Sequence, residues 1–335
     1  MLSEKDIIET INRCIPSDAN RETACFESDA ERLKFNGNKI LLSTDEFSSE
    51  DKFPETDPFS LGWNIAAGTI SDVLATGGIP LYYSHALTVS HNWSRKYLEQ
   101  FCHGVRDVLK EYQVSFAGGD TGSSDQYRCT STVIGKTSER DISRKGIKSG
   151  DLIYLSGKVG AGNYNAAINI FCKESKFKSI VELVASNFKL RKREAKFIQK
   201  YATACIDTSD GVFNALNSVA VLNNNGYIVD KLPYIKMGII TSKLLSLPKE
   251  LLLLGECGEY ELLFFIKSED EKEFLEKSTK EKLDFYCLGQ VLEDPKERTI
   301  ISGKRKLNMS NFNISARDFI NLKDYLKKLT DWIKK

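Results

Sequence analysis

The sequence predicts two domains, each built of α/β or α+β layers. Three observations carry that expectation. A chain of 335 residues exceeds what one ordinary core organises. Apolar strand-like runs and helical periodicities are mixed along its whole length. A turn at Lys148-Ser149-Gly150-Asp151 separates two strand-rich blocks and places a boundary near residue 147, giving domains at 1–147 and 148–335.

The elements follow in order. Ile7, Ile8 and Ile11 give residues 4–14 a weak helical pattern. Residues 39–44 read as a strand ending at Asp45, and the polar stretch 46–58, with two prolines, as a loop. Leu61, Ile65, Ala66, Ile70, Val73 and Leu74 recur at helical spacing over 60–76, and Gly77-Gly78 with Pro80 stops that helix. A strand at 81–89, a helix at 94–112, a short strand at 114–117 running into Gly118-Gly119-Asp120, and a strand at 127–136 complete the first block. Beyond the turn lie a strand at 152–156, helices near 163–173 and 190–202, a strand at 203–206, a helix from 211, and strands near 260–266 and 285–291.

Composition narrows the function. Hydrophobic residues make up 41%, enough for a core in each domain. Lys plus Arg number 47 against 46 Asp plus Glu, so neither nucleic acid nor an anionic membrane is an expected partner. The short basic runs Lys304-Arg305-Lys306 and Lys327-Lys328 read as solvated surface. Eight cysteines are scattered with no CxxC spacing, which disfavours a zinc or dithiol site. A charged N-terminus and no apolar span lead to the expectation of a cytoplasmic protein.

The aspartates are more informative. Asp45 ends a strand, Asp120 follows two glycines at the end of another, and Asp207 and Asp210 flank a strand-to-helix junction in Ile-Asp-Thr-Ser-Asp-Gly211. Strand ends and the loops after them are where such folds place ligands. Carboxylates converging from separate loops repel one another unless a cation joins them, and Mg²⁺ takes oxygen ligands of this kind. Singly, each has an ordinary explanation: Asp210 or Ser209 as a helix cap, Gly118-Gly119-Asp120-Thr121 as a turn. Asp72 is harder to dismiss. It sits mid-helix on a face of small residues, Gly68, Thr69, Ala75 and Thr76, that would allow close approach. No P-loop, dinucleotide fingerprint or protein-kinase motif set is present, and His85, His91 and His103 have neither metal nor triad spacing. ATP, if bound, is bound by a non-Walker route.

In order, Ser-Thr-Asp45, Thr-Asp-Pro-Phe-Ser-Leu-Gly-Trp63, Ile-Ser-Asp72 with Gly-Gly-Ile-Pro80, Ala-Gly-Gly-Asp-Thr121, Ser-Arg144-Lys-Gly-Ile-Lys-Ser-Gly-Asp-Leu-Ile-Tyr154, Ile-Asp-Thr-Ser-Asp-Gly211 and Gly258-Glu-Tyr-Glu-Leu-Leu-Phe264 resemble the thiamine-monophosphate kinase family. That family shares a superfamily with aminoimidazole ribonucleotide synthetase, selenophosphate synthetase and a hydrogenase-maturation protein. The resemblance runs from about residue 25 to about 320. It implies a two-domain fold of the aminoimidazole ribonucleotide synthetase type, whose N-terminal domain forms a β-barrel across a homodimer, and transfer of the γ-phosphoryl group of ATP to thiamine monophosphate. It further implies Mg²⁺ held by Asp29, Asp45, Asp72, Asp120 and Asp210, with Asp120 and Asp210 central to catalysis. Thr44, Gly119, Thr121, Arg144 and Ser209 would meet the nucleotide, and Lys52, Asp207, Glu259 and Phe319 the phosphorylated substrate.

The sequence departs from the family pattern mostly on the acceptor side. Glu27-Ser28-Asp29 stands for Gly-Asp-Asp, Lys52 for a histidine, Thr69 for an asparagine, and Gly258-Glu259 for Glu-Asp. Asn311-Phe312 and Arg317-Asp318-Phe319 match the aromatic C-terminal segment only in part. Two alternatives stay open: a same-fold kinase or synthase with another small-molecule acceptor, and a non-catalytic nucleotide-binding relative.

Overall fold

The structure, a computed structural model, describes residues 4–15, 19–51, 53, 57–171 and 187–335. Helix α1 (Glu4–Cys14) precedes strands β1 (Glu31–Phe35) and β2 (Asn38–Ser48), helix α2 (Pro58–Ala75), strand β3 (Ile79–Ser90), helix α3 (Arg95–Tyr112), and strands β4 (Ser115–Ser124) and β5 (Arg128–Lys136). These strands form one sheet in the order β1-β2-β5-β3-β4, antiparallel except for β3 against β4. Next come β6 (Leu152–Leu155), α4 (Ala161–Phe171), α5 (Lys192–Ile198), β7 (Ala202–Asp207), α6 (Val212–Leu222) and β8 (Gly226–Val229). The chain ends with α7 (Lys236–Leu244), α8 (Leu251–Leu254), β9 (Leu262–Ile266), α9 (Glu271–Lys280), β10 (Tyr286–Leu292), β11 (Arg298–Ser302), β12 (Arg305–Asn308) and α10 (Leu322–Lys334). Its seven-stranded sheet runs β12-β11-β8-β10-β6-β9-β7 and is also mixed, β11 and β8 being parallel.

Helix α2 links the two sheets. Asp57 caps it through bonds from Ser60, and Pro58 stands where a missing N–H costs nothing. Its 18 residues include no charge but Asp72, and 15 of them are buried. Apolar on every side, it is an interior helix. One core joins α2 and α3 to the first sheet and to Leu262, Phe264 and Ile266 of β9; a second takes Leu263 and Phe265 from the other face of β9, with α6 and α10. Strand alternation thus shares one five-residue strand between two cores.

Two close contacts fix α2. Its crossing with α3 depends on glycine: a Cβ on Gly62 would stand 2.1 Å from the Phe101 carbonyl oxygen, and one on Gly104 2.0 Å from that of Phe59. At its N-terminal half α2 grips distant backbone. The Trp63 indole N–H donates to the Phe188 carbonyl at 2.9 Å, and the Phe188 N–H donates to Asn64 Oδ1 at 2.9 Å.

The expected first-block elements are present with altered ends. β2 continues past Asp45 to Ser48, and β4 contains Gly118, Gly119 and Asp120 instead of stopping before them. The expected helix near 163–173 is described to Phe171; its last residues, and Lys52, lie outside the described residues. β1, β8, β11 and β12 lie outside the expected set. In the single chain the first sheet is open, with β1 and β4 at its edges. No described helix is long and apolar enough to cross a membrane.

Candidate active site

A cavity of about 710 Å³ opens where the two sheets meet. β2 contributes Ser43, Thr44 and Asp45; α2 contributes Asp72; the turn after β7 contributes Ser209 and Asp210. Asp29 and Arg144 come from irregular segments.

Three carboxylates approach closely: one oxygen each of Asp29, Asp72 and Asp207 lies within 4.8 Å of the others. The chain holds them with dedicated donors. The Ser43 hydroxyl donates to Asp72, and the neighbouring Ser71 hydroxyl donates to Asp207. Arg144 donates to Asp29 Oδ1 from two nitrogens, at 2.5 and 3.2 Å, and the Asp29 side chain is only 1% exposed. Among the described residues, Arg144 is the one cation bonded to this cluster, and its single charge does not balance three carboxylates. Burial, then the charge of Asp29, pushes Asp45 up to about 6 and Asp207 up to about 7. Burial, followed by the charges of Asp45 and Asp207, drives Asp72 well above the ordinary carboxylate range. Hard oxygens gathered at this spacing with too little cationic charge fit a divalent metal ion.

The predicted residues divide into groups. Asp29, Thr44, Asp45, Asp72, Arg144, Ser209 and Asp210 all line the cavity. Asp207, expected on the acceptor side, instead joins Asp29 and Asp72, because β7 ends beside α2 and Ser71 receives it. Gly119, Asp120 and Thr121 are exposed on edge strand β4 and are not among the residues lining this cavity. The glycine at 119 has a local reason: a Cβ there would stand 1.7 Å from the His85 carbonyl oxygen. Glu259, expected on the acceptor side, is not among the residues lining this cavity. It is 3% exposed and accepts from the Gly160 N–H at 2.9 Å and the Ala161 N–H at 3.2 Å, closing the start of α4. Burial nonetheless pushes it up to about 8.

A second, mainly apolar cavity of about 350 Å³ adjoins the first; Asp51, Ser209, Asp210, Tyr260 and Arg317 line both. Phe319 lies in its wall, and its ring stands 5.9 Å from that of Tyr325. Tyr260 divides the two spaces at φ 51°, an unusual conformation for a bulky residue. Gly68 and Gly258 admit its ring: a Cβ on either would stand 2.9 and 2.6 Å from ring carbons. What approaches the small face of α2 is therefore the chain's own Tyr260. Sequence reading missed Ser43, Ser71 and Tyr260 as site residues, although Ser43 and Ser71 each stand within two residues of an aspartate already singled out.

Fold and site define a two-domain α/β protein with a carboxylate-lined cavity where two mixed sheets meet. Family profiles match both halves, "AIR synthase related protein, N-terminal domain" over residues 27–137 and "AIR synthase related protein, C-terminal domain" over 148–302. The chain belongs to this AIR synthase-related superfamily. Among named relatives, the thiamine-monophosphate kinase of Aquifex aeolicus (strain VF5) is 28% identical over 312 residues, covering 91% of this chain and 95% of the relative. The solved structure of AaThiL complexed with AMPPCP and TMP is 25% identical with a TM-score of 0.75, covering 89% of this chain and 93% of that one. A hydrogenase maturation protein from E. coli shares the fold, at 16% identity and a TM-score of 0.66, covering 91% and 97%.

Proposed function

We propose that this chain is an ATP-dependent phosphotransferase that converts thiamine monophosphate to thiamine diphosphate by direct in-line transfer. The observation that carries the reading is the junction of the two cavities: a carboxylate cavity suited to metal and phosphates opens into an apolar pocket bordered by Glu50, Asp51, Asp210 and Glu256. An aromatic cation joined to a phosphate matches that pair, with acidic groups toward the cation and the phosphate at the junction. The relative solved with AMPPCP and TMP supports it.

In this reading Asp29, Asp72 and Asp207, with Asp45 and Asp210 nearby, would hold Mg²⁺. The metal, when bound, neutralises phosphate oxygens and the charge that develops on them. Arg144, fixed by Asp29, adds a permanent positive charge beside the carboxylates. An acceptor phosphate oxygen forms the new O–P bond to the γ-phosphorus as the bond to the β,γ-bridging oxygen breaks, and ADP leaves. The acceptor is already ionised at neutral pH, so neither a strong base nor a covalent enzyme intermediate is required.

Asp120 enters through a second copy. Strand β4 is exposed along nearly its whole length, and Tyr82 and Ile134, half-exposed, pair on the sheet face turned away from α2. We propose a homodimer in which this sheet closes into a barrel with its partner, and we divide the chain into domains near residue 147.

The direct test is to incubate the protein with ATP, Mg²⁺ and a panel of phosphorylated metabolites that includes thiamine monophosphate, following products by mass spectrometry. Thiamine diphosphate is the expected product. Turnover of another panel member in its place favours a same-fold kinase with a different acceptor. Turnover of none removes the assignment.

A further inference from the structure

Carboxylates border the apolar pocket at Glu50, Asp51, Asp210 and Glu256, and the last differs from the rest. Glu50, Asp51 and Asp210 are exposed, so water screens what they offer a ligand. Glu256 is half-buried in the wall just past α8, where screening is weaker.

Its two oxygens are used unequally. Oε2 accepts from the Ser315 hydroxyl at 3.1 Å and from the Ala316 N–H at 3.0 Å, which fixes the carboxylate in one orientation. Among the described residues, Oε1 takes no hydrogen bond and neither oxygen enters an ion pair. Burial is the first influence on this carboxyl and pushes it above the ordinary range; the charges of Asp210 and Arg317 come last and oppose each other. An anion so placed is oriented but under-compensated.

Its surroundings suit a cation of one kind. After burial, the charge of Glu256 is what raises the Tyr325 phenol, so carboxylate and ring are neighbours. Tyr325 and Phe319, their rings 5.9 Å apart, both line the pocket. Aromatic rings attract a cation through their quadrupole, and an apolar cavity of about 350 Å³ takes a planar organic ring better than a hydrated inorganic ion.

We propose that Glu256 is the specificity-determining residue of the apolar pocket, selecting through Oε1 an acceptor whose aromatic ring carries positive charge. This assignment rests on reading that pocket as the acceptor's. A cationic ring meets Oε1 while Phe319 and Tyr325 line its flank. An uncharged ring of the same shape removes water from the carboxylate and returns nothing to it, so the pocket discriminates against it.

The test reads equilibrium binding to the full chain with neither nucleotide nor metal added. Thiamine, a cationic ring without a phosphate, is titrated by calorimetry beside an isostere with an uncharged thiophene in place of the thiazolium. Glu256→Gln keeps an oxygen for Ser315 and Ala316 and removes the charge. It is expected to weaken thiamine about 10- to 100-fold, as loss of a charged contact does, and to change the isostere less than about threefold. Equal thiamine binding in parent and variant overturns the assignment. So does an equal loss for both ligands, which would mean that Glu256 only shapes the pocket. 1-Methylnicotinamide and nicotinamide, a cationic and an uncharged ring unrelated to thiamine, separate the two ideas. If the parent binds neither thiamine nor its isostere but prefers 1-methylnicotinamide, and Glu256→Gln loses that preference, the choice of acceptor fails while the role of Glu256 stands. A parent that prefers neither cation to its uncharged partner removes that role.

Discussion

At the scale of residues, the site stores repulsion. Asp72 lies in a helix interior surrounded by like charge, so it is a liability to the empty fold and an asset once a cation is present. Asp72→Asn should therefore raise the stability of the metal-free protein, on the order of 1 kcal/mol, and abolish most of the stabilisation that Mg²⁺ confers. Thermal denaturation with and without Mg²⁺ measures both effects; a variant stabilised by Mg²⁺ as strongly as the parent removes Asp72 from the metal site. The pH response has a definite sign. Asp45 and Asp207 have folded-state values raised above the ordinary carboxylate value of 3.8, to about 6 and about 7. The folded state then holds more protons than the unfolded state between those limits. The stabilisation is complete below about pH 4 and is lost as the pH rises through 6 to 7. A cation competes for the same oxygens, so Mg²⁺ affinity should rise over that window with release of protons. Calorimetry in buffers of different ionisation enthalpy counts those protons, and a count near zero at pH 6 would contradict the coupling.

At the scale of elements, α2 governs what the sequence could reveal. Its apolar periodicity and its lone Asp72 were legible because the helix is long and a charge in its interior stands out. The converging carboxylates on β2, α2 and β7 were legible as motifs, whereas the donors Ser43 and Ser71 were not, since serine beside aspartate reads equally well as a turn. β1, with the sequence Glu-Arg-Leu-Lys-Phe, and β12, Arg-Lys-Leu-Asn, are edge strands whose charges hide the alternation of strand structure. The run Lys327-Lys328, expected to be solvated, is exposed on the outer side of α10, which buries Tyr325, Leu329 and Ile333 on its other side. Helix packing also gives a prediction opposed to propensity. Alanine is favoured over glycine inside a helix by about 1 kcal/mol. Gly62→Ala and Gly104→Ala should nonetheless destabilise the chain, by roughly 1–3 kcal/mol, because each new methyl meets a backbone carbonyl that cannot rotate away. Urea unfolding of either variant decides, and a gain in midpoint would show that the α2–α3 crossing relaxes freely.

At the scale of the molecule, the exposed strand β4 and the cavity beside α2 are parts of one question. Asp120 is exposed on an open sheet edge, so a catalytic role for it requires a neighbouring copy. Sedimentation at micromolar concentration should give a dimer, and Asp120→Asn should lower turnover on the order of 100-fold while leaving the fold intact. A monomer with full activity would remove both the barrel and Asp120 from the mechanism. The sequence pointed to Asp120 through its motif. It could not say that the residue would stand apart from the other aspartates, because that separation depends on which sheet each strand joins.

The hold of α2 on residue 188 has an optical consequence. The chain has three tryptophans, placed in different surroundings. Trp93 lies among Tyr97, Phe101 and Tyr127, and Trp332 packs edge-on to Phe312. Among the described residues, Trp63 has its indole tied to backbone from the second half of the chain. With Trp93 and Trp332 replaced by phenylalanine, the remaining emitter becomes a gauge of that tie. Its spectrum should shift to the red when the halves part, at denaturant concentrations where far-ultraviolet dichroism still records intact helices and sheets.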